Sequence, residues 1–291
     1  MSPLHSSVVS LSIGSVSQQT FVCEEDELCV EEPLEIRVEL KRDGSETTRP
    51  LAVTMRTPGS DEELAAGFLL SEGIVQGRNQ IQSIRQLESN IVVACLAPSV
   101  DVPWSKMQRH SFVSSSCGVC GKRSIAAVFG AGAQRQPLGT PRFEAQVIHG
   151  LGRAQRARQA NFRRTGGLHA AALFDTAGNI QANSEDVGRH NALDKLIGGQ
   201  LLANRLPLRD NILLLSGRAC FELIQKASMA GIPIVAAIGA PTSLAVSLAK
   251  ELGITLLGFV RDERFNVYAD AGRLVEAPSD LFTNFSGSVR K

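Results

Sequence analysis

Between Asn211 and Val260 three short apolar runs, Asn211–Leu215, Pro233–Ile238 and Thr255–Val260, are separated by two segments of helical period. These segments, Arg218–Ala230 and Thr242–Leu252, each end at a glycine, Gly231 and Gly253. A strand apolar on both faces must be covered on both faces, and a β-α-β-α-β order joins parallel strands by right-handed crossovers. Ligands of such sheets gather beyond the C-terminal strand ends, where helix N-termini also point. Here those ends are Ser216-Gly217-Arg218, Gly239-Ala240-Pro241-Thr242-Ser243 and Phe259-Val260-Arg261 through Arg264. Hydroxyls, backbone N–H groups and three arginines on one edge suit a phosphate- or pyrophosphate-bearing ligand.

The N-terminal part is of another kind. Residues 1–18 are Ser-rich, lack a basic start and a long apolar run, and read as a disordered tail without a secretory signal. Leu34, Ile36, Val38 and Leu40 alternate with charged residues as in a half-buried strand, and Asp43-Gly44 turns the chain toward Leu51–Met55 as its partner. Ser60 and Glu63 have the spacing of a capping box before a helix that Gly73 ends. Strands over Ile81–Leu87 and Ile91–Leu96 complete a small α+β unit. Cys95 reads as a small core residue of the last strand.

Phe143, Val147 and Leu151 start a helical period whose later part carries Arg153, Arg156, Arg158, Arg163 and Arg164. That cluster reads as a solvated basic face. Gly166-Gly167 stops the helix, and the strand His169–Phe174, the turn Asp175–Gly178 and a second strand follow. Ser184 is expected to cap a helix in which four-residue spacing sets Glu185 beside Arg189, and His190 between Asp186 and Asp194.

With 30 Lys+Arg against 29 Asp+Glu, charge balance gives no argument for nucleic acid, and no stretch is long enough to span a bilayer. The chemistry is carried by Ser114-Ser-Ser-Cys117-Gly-Val-Cys120-Gly-Lys122, two thiols in a loop of small residues with cations close behind. A Cys₂His₂ zinc set with His169 and His190 is disfavoured, since the histidines are 21 apart on different elements and no second C-x-x-C exists. No residue is assigned to a metal on this reading. A thioredoxin-type motif should open a helix after an early strand, which this one does not. A persulfide carrier needs an exposed thiolate and a nearby acceptor pocket, and the chain supplies both.

Taken in order, several motifs resemble the FdhD/NarQ family of formate dehydrogenase accessory sulfurtransferases. They are Arg56-Thr-Pro-Gly59 with Glu63-Leu-Ala-Ala-Gly-Phe68 and Ser71-Glu-Gly-Ile74, then Ser115-Ser-Cys-Gly-Val-Cys-Gly-Lys122. Thr165-Gly-Gly-Leu-His169, Glu185-Asp-Val-Gly-Arg-His-Asn-Ala-Leu-Asp-Lys195, Gly239-Ala-Pro-Thr-Ser243 and Gly258-Phe259 follow. The resemblance covers about Val30 to Ala269.

The resemblance implies an α/β protein: a cytidine-deaminase-like three-layer αβα core domain over residues 141–291, joined to a smaller N-terminal α+β domain over 19–140. It implies a cytoplasmic homodimer that takes persulfide sulfur from a cysteine desulfurase onto Cys117, with Cys120 as companion. The sulfur passes to a molybdenum bis(molybdopterin guanine dinucleotide) cofactor destined for formate dehydrogenase. The family's cofactor segment falls on Phe259, Val260, Arg261, Asp262, Glu263 and Arg264; Ser216, Arg218, Thr242 and Ser243 are further candidate contacts. Deamination is not implied, because the H-x-E and P-C-x-x-C of zinc deaminases are missing from the corresponding order. The rival reading is a cofactor-binding chaperone without sulfur transfer.

Overall fold

The computed structural model describes residues 6–18, 20–42, 44–104 and 133–275. Within them the chain is mixed α/β, with three sheets. Cys117 and Cys120 lie outside the described residues.

The first sheet corrects the expected disordered tail. Strand β1 (Val8–Ser17) pairs antiparallel with β2 (Thr20–Cys29) along its whole length, although nearly every side chain of the pair is exposed or only half-buried. Backbone pairing defines this hairpin, not burial; Val9, Leu11 and Ile13 alternate with Ser10, Ser12 and Gly14 as in a strand, a signal hidden by the Ser-rich composition. It is tied to the body where Arg164 forms an ion pair with Glu27.

The second sheet has the order β4-β3-β6-β5, built from β3 (Glu32–Arg42), β4 (Ser45–Arg56), β5 (Ile81–Glu88) and β6 (Ile91–Leu96). β3 and β4 form the expected antiparallel pair, with Leu34, Ile36 and Val38 fully buried on one face. Helix α1 (Asp61–Ser71) lies against this sheet. Its expected capping box is absent: Ser60 is the N-cap, but its backbone is left-handed at φ 54 and its side chain caps nothing. Asp61 instead takes both Nε and Nη2 of the buried Arg56, at 2.9 and 2.8 Å. Gly73, at φ 70, follows the end of the helix as expected.

The third sheet has the order β12-β11-β10-β9-β7-β8. Its strands are β7 (His169–Asp175), β8 (Ile180–Asp186), β9 (Asn211–Leu215), β10 (Ile234–Ala237), β11 (Thr255–Gly258) and β12 (Asn266–Ala269). β9, β10 and β11 are parallel, as their apolar runs predict, and the other neighbours are antiparallel. Among the described residues six α-helices accompany the strands: α1, α2 (Ala145–Arg158), α3 (Ala160–Thr165), α4 (Arg189–Leu202), α5 (Phe221–Met229) and α6 (Ser243–Leu252). Alternate residues of the strands feed two cores. Leu213, Leu215, Val235 and Leu256 join α4, α5 and α6, whereas Ile212, Leu214, Ile234 and Leu257 pack with Phe143, Ile148 and Leu151 beside α2. Thr242 caps α6 by accepting the Ala245 N–H, and Gly253 ends it in the left-handed region at φ 65.

Helix α4 starts later than expected. Ser184, Glu185 and Asp186 belong to β8, held in register opposite Ala171, Ala170 and His169, and Gly188 is the N-cap. The four-residue pairings across this segment therefore do not form on a helix. The Glu185 carboxylate instead accepts the N–H groups of Asn161 and Phe162 at the start of α3, at 3.2 and 2.8 Å.

Helices α1 and α4 join the second and third sheets. At their crossing a Cβ on Gly67 would stand 1.9 Å from the Asp194 carbonyl oxygen, and one on Gly198 would stand 1.8 Å from that of Glu63. One buried cluster consequently runs from Leu34 and Val92 through Leu64, Leu69, Leu193 and Ile197 to Leu213 and Val235. Among the described residues no helix is long and apolar enough to cross a membrane.

Candidate functional site

The C-terminal ends of β9, β10 and β11 are stitched to each other by backbone bonds. Gly239 N–H donates to the Gly217 carbonyl at 3.0 Å, Phe259 N–H to that of Gly239 at 3.2 Å, and Val260 N–H to that of Ala237 at 3.1 Å. Gly239 has to be a glycine at this approach, because a Cβ would lie 3.0 Å from the Gly217 carbonyl carbon and oxygen. Phe259 leaves the strand in the left-handed region at φ 52, which turns the following residues across the edge. Arg261 then donates through Nη1 to the Ile238 and Val260 carbonyls, at 2.8 and 2.7 Å, so one face of its guanidinium is fixed against the strand ends.

Helices α2 and α3 close the other side. Gln155, buried under α2, donates to the Leu214 carbonyl at 3.2 Å and holds the helix over the sheet. The result is a cavity of ≈ 720 Å³ between Gly152, Arg153, Arg156 and Phe162 on one wall and Ser216, Val260 and Arg261 on the other. Gly166, Gly167 and His169 form its floor and rim. Three arginines against the single carboxylate of Asp262 give the lining a net positive charge that suits an anion. Arg153 and Asp262 are 3.6 Å apart but both well exposed, a pairing worth little in water and easily exchanged for an anionic ligand.

Ser216 is a hinge of the site and not a free hydroxyl. Its Oγ accepts the Ala170 N–H at 2.8 Å, and its own N–H donates to the Ala170 carbonyl at 3.0 Å. His169 opens β7 beside Gly217, so close that a Cβ there would be 3.3 Å from Nδ1. Burial, aided by the Arg189 charge and opposed by Asp186, holds its imidazole below the ordinary histidine range. A neutral ring at the cavity rim can accept a proton directly, and can pass one on only after taking it up.

His190 is not held between Asp186 and Asp194. Asp186 is fully buried and pairs with Lys195 at 2.7 Å, while Asp194 takes both oxygens to Lys226, at 2.8 and 2.7 Å, and accepts the Ser71 hydroxyl at 2.7 Å. His190 Nε2 lies 3.1 Å from Glu222 Oε2 and 3.3 Å from Cys220 Sγ. Burial, together with the charges of Lys226 and Arg189, pushes His190 down to about 3. The ring is neutral, so its contact with Glu222 is a hydrogen bond and not an ion pair.

Of the residues singled out from sequence, Ser216, Val260, Arg261 and Asp262 line the cavity. Phe259, Glu263, Arg264, Arg218, Thr242 and Ser243 flank the same strand ends but are not among the lining residues. Cys117 and Cys120 fall outside the described residues. Arg153 and Arg156 are exposed, as the solvated basic face read from sequence requires, and they also form a cavity wall together with Phe162. A signal for them was present: the arginines run directly into Gly166-Gly167 and a buried strand, which forces their helix to lie over that strand's neighbours.

Residues 29–275 match the model of the FdhD/NarQ family. A sulfur carrier protein FdhD of Streptomyces coelicolor is 47% identical over 279 residues, covering 92% of this chain and 94% of that one. Another of the same name, from Mycolicibacterium paratuberculosis, is 47% identical over 85% of this chain and 91% of its own length. A relative from Picrophilus torridus is 43% identical over 86% of this chain and 92% of its own length, and carries the same name. Among solved structures, a formate dehydrogenase accessory protein from Desulfotalea psychrophila superposes with a TM-score of 0.71 at 23% identity, covering 92% of this chain and 99% of that one.

Proposed function

Because this chain belongs to the FdhD/NarQ family, we propose that it is a sulfurtransferase that loads a molybdenum bis(molybdopterin guanine dinucleotide) cofactor for a formate dehydrogenase client. The relatives named sulfur carrier proteins support the carrier role. The observation that carries the cofactor half is the cavity walled by Arg153, Arg156 and Arg261 at the parallel strand ends. A guanine dinucleotide offers pyrophosphate to such a wall, and arginine forks match phosphate oxygens two at a time. The deaminase-like description of the third sheet belongs to the same reading, supported by the helices that cover both of its faces.

In this reading the Cys117 thiolate attacks the terminal sulfur of a cysteine desulfurase persulfide. A new S–S bond forms on Cys117 as the desulfurase cysteine leaves as thiolate, so no external oxidant is needed. Attack of the Cys120 thiolate on the inner sulfur of the Cys117 persulfide would break its S–S bond, release the carried sulfur as sulfide for the cofactor that the arginine-lined cavity would hold, and leave a Cys117–Cys120 disulfide; otherwise Cys120 only guards the loop. The cytosol is the setting that keeps both thiols reduced. Arg153, Arg156 and Arg261 hold phosphate, the Gly166-Gly167 backbone lets the ligand approach closely, and neutral His169 stands at the rim for proton exchange. Homodimerisation is part of the same proposal.

The deciding experiment is intact mass after incubation with cysteine and a cysteine desulfurase, for wild type, Cys117→Ala and Cys120→Ala. A reductant-labile gain of sulfur mass, lost in Cys117→Ala, is the expected result. Sulfur absent from every form, with an active desulfurase, returns the protein to the cofactor-chaperone reading.

A further inference from the structure

Two helix starts converge on one point whose residues are not part of the lining of the arginine cavity. His190 sits in the first turn of α4; Cys220 is the N-cap of α5, and Glu222 lies in its first turn. Their donor atoms, imidazole Nε2, thiol Sγ and a carboxylate oxygen, all lie within 4.8 Å of one another. His190 and Glu222 keep only 15% and 13% of their side-chain surface, so solvent hardly screens the group. Nε2 faces both partners at once, at 3.3 Å to Sγ and 3.1 Å to Oε2. A single ring nitrogen carries either one proton or one lone pair and satisfies two such partners poorly.

We propose that His190, Cys220 and Glu222 form a binding site for a zinc-type divalent transition-metal ion, with a fourth position open. Around a tetrahedral ion with zinc's bond lengths, neighbouring N, S and O ligands stand about 3.4–3.6 Å apart. The 3.1 and 3.3 Å separations from Nε2 are a few tenths of an ångström short of that spacing, and the thiol and carboxylate lie within 4.8 Å of each other. Imidazole and thiolate select against magnesium and calcium, which take oxygen donors. Two negatively charged donors at a helix N-terminus also suit the positive end of its dipole. Asp194 keeps Lys226, one turn beyond Glu222, engaged through both oxygens and so away from the metal position. Three protein ligands with one free position is the arrangement of exchangeable zinc sites and not of closed structural ones.

The test must separate this site from Cys117 and Cys120, which could also bind a soft metal. The full-length chain is prepared as Cys117→Ser/Cys120→Ser, alone and with Cys220→Ser or Glu222→Gln added. Each is loaded with cobalt(II) and with zinc, and folding is checked by circular dichroism. The expected result in the double variant is about one zinc retained per chain, with a thiolate-to-cobalt charge-transfer band. That band is lost on adding Cys220→Ser, and zinc affinity falls at least about tenfold on adding Glu222→Gln. Three outcomes overturn the proposal: a cobalt band that vanishes with Cys117 and Cys120 alone, one that survives Cys220→Ser, or no metal retained by any folded form. The last would leave the three side chains as hydrogen-bonded neighbours only.

Discussion

The Asp186 carboxylate and the Lys195 ammonium meet at 2.7 Å, both almost wholly buried, where β8 ends and α4 begins. Asp186 also accepts the N–H groups of Thr57 and Gly188, at 3.2 and 2.8 Å, while Lys195 donates to the Thr57 carbonyl at 2.7 Å. The pair therefore ties the end of β4 to the third sheet, and it takes from His190 the carboxylate that helical spacing had assigned to it. Two sequence motifs far apart in the chain, Arg56–Gly59 and Glu185–Lys195, are in this way two halves of one contact.

Breaking that pair from one side strands a buried charge. Asp186→Asn should destabilise the protein by about 3–5 kcal/mol. Asp186→Asn/Lys195→Met should recover part of the loss, because neither charge then remains. Urea midpoints at constant slope measure both; a double variant worse than the single one would show that the hydrogen bonds matter more than the charges.

The glycine crossing predicts opposite signs for chemically identical changes. Gly67→Ala or Gly198→Ala forces a methyl to within 2 Å of a carbonyl oxygen and should cost about 3 kcal/mol or more. Gly150→Ala, in α2 with nothing within 4 Å of the added carbon, should stabilise by about 0.5–1 kcal/mol through helix propensity. Thermal unfolding of the three variants checks the ordering.

His169 should titrate below the ordinary histidine value, since burial and Arg189 disfavour its charged form. Between its folded value and about 6.5 the unfolded chain binds a proton that the folded chain does not. The contribution of this residue to stability therefore falls as pH drops below about 6.5, and is fully present above it. Proton NMR of the ring gives the midpoint directly, and His169→Asn should reduce the pH dependence of the melting temperature across that window, leaving the part that His190 supplies. A midpoint at or above 6.5 refutes the assignment.

Arg156→Ala should weaken binding of guanosine diphosphate about tenfold, as expected for losing charged hydrogen bonds to phosphate. Arg205→Ala, outside the cavity lining, serves as the control of equal charge and should leave affinity unchanged. Isothermal titration at fixed salt distinguishes them; equal losses would reduce the effect to net charge.

Much of this architecture can be read from residue order alone. β9, β10 and β11 announce themselves because a strand covered on both faces has no polar positions, and Gly231 and Gly253 end their helices where left-handed backbone is required. The phosphate-suited edge follows from parallel topology and does contain Ser216, Val260, Arg261 and Asp262. Local patterns misled where long-range pairing decides. Ser184 looks like a helix cap, but strand register with β7 keeps it in β8. Ser60 and Glu63 have capping spacing, but the turn into α1 is set by Arg56 and Asp61. Arg153 and Arg156 read as solvated and are exposed, but no period reveals that the same helix face also borders a cavity. The group of His190, Cys220 and Glu222 joins two helices across an intervening strand, so spacing along the chain cannot show it.

The contact of Gly67 with Asp194, and of Gly198 with Glu63, bears on how such a chain can be inherited. Each half supplies a bare backbone surface cut to the other's, with no side chain left to adjust. A recombination event between β6 and α2 yields a folded product only when one parent brings glycine at 67 and the other glycine at 198. The two halves descend as a matched pair, and Cys117 and Cys120 lie in the stretch of chain that joins them.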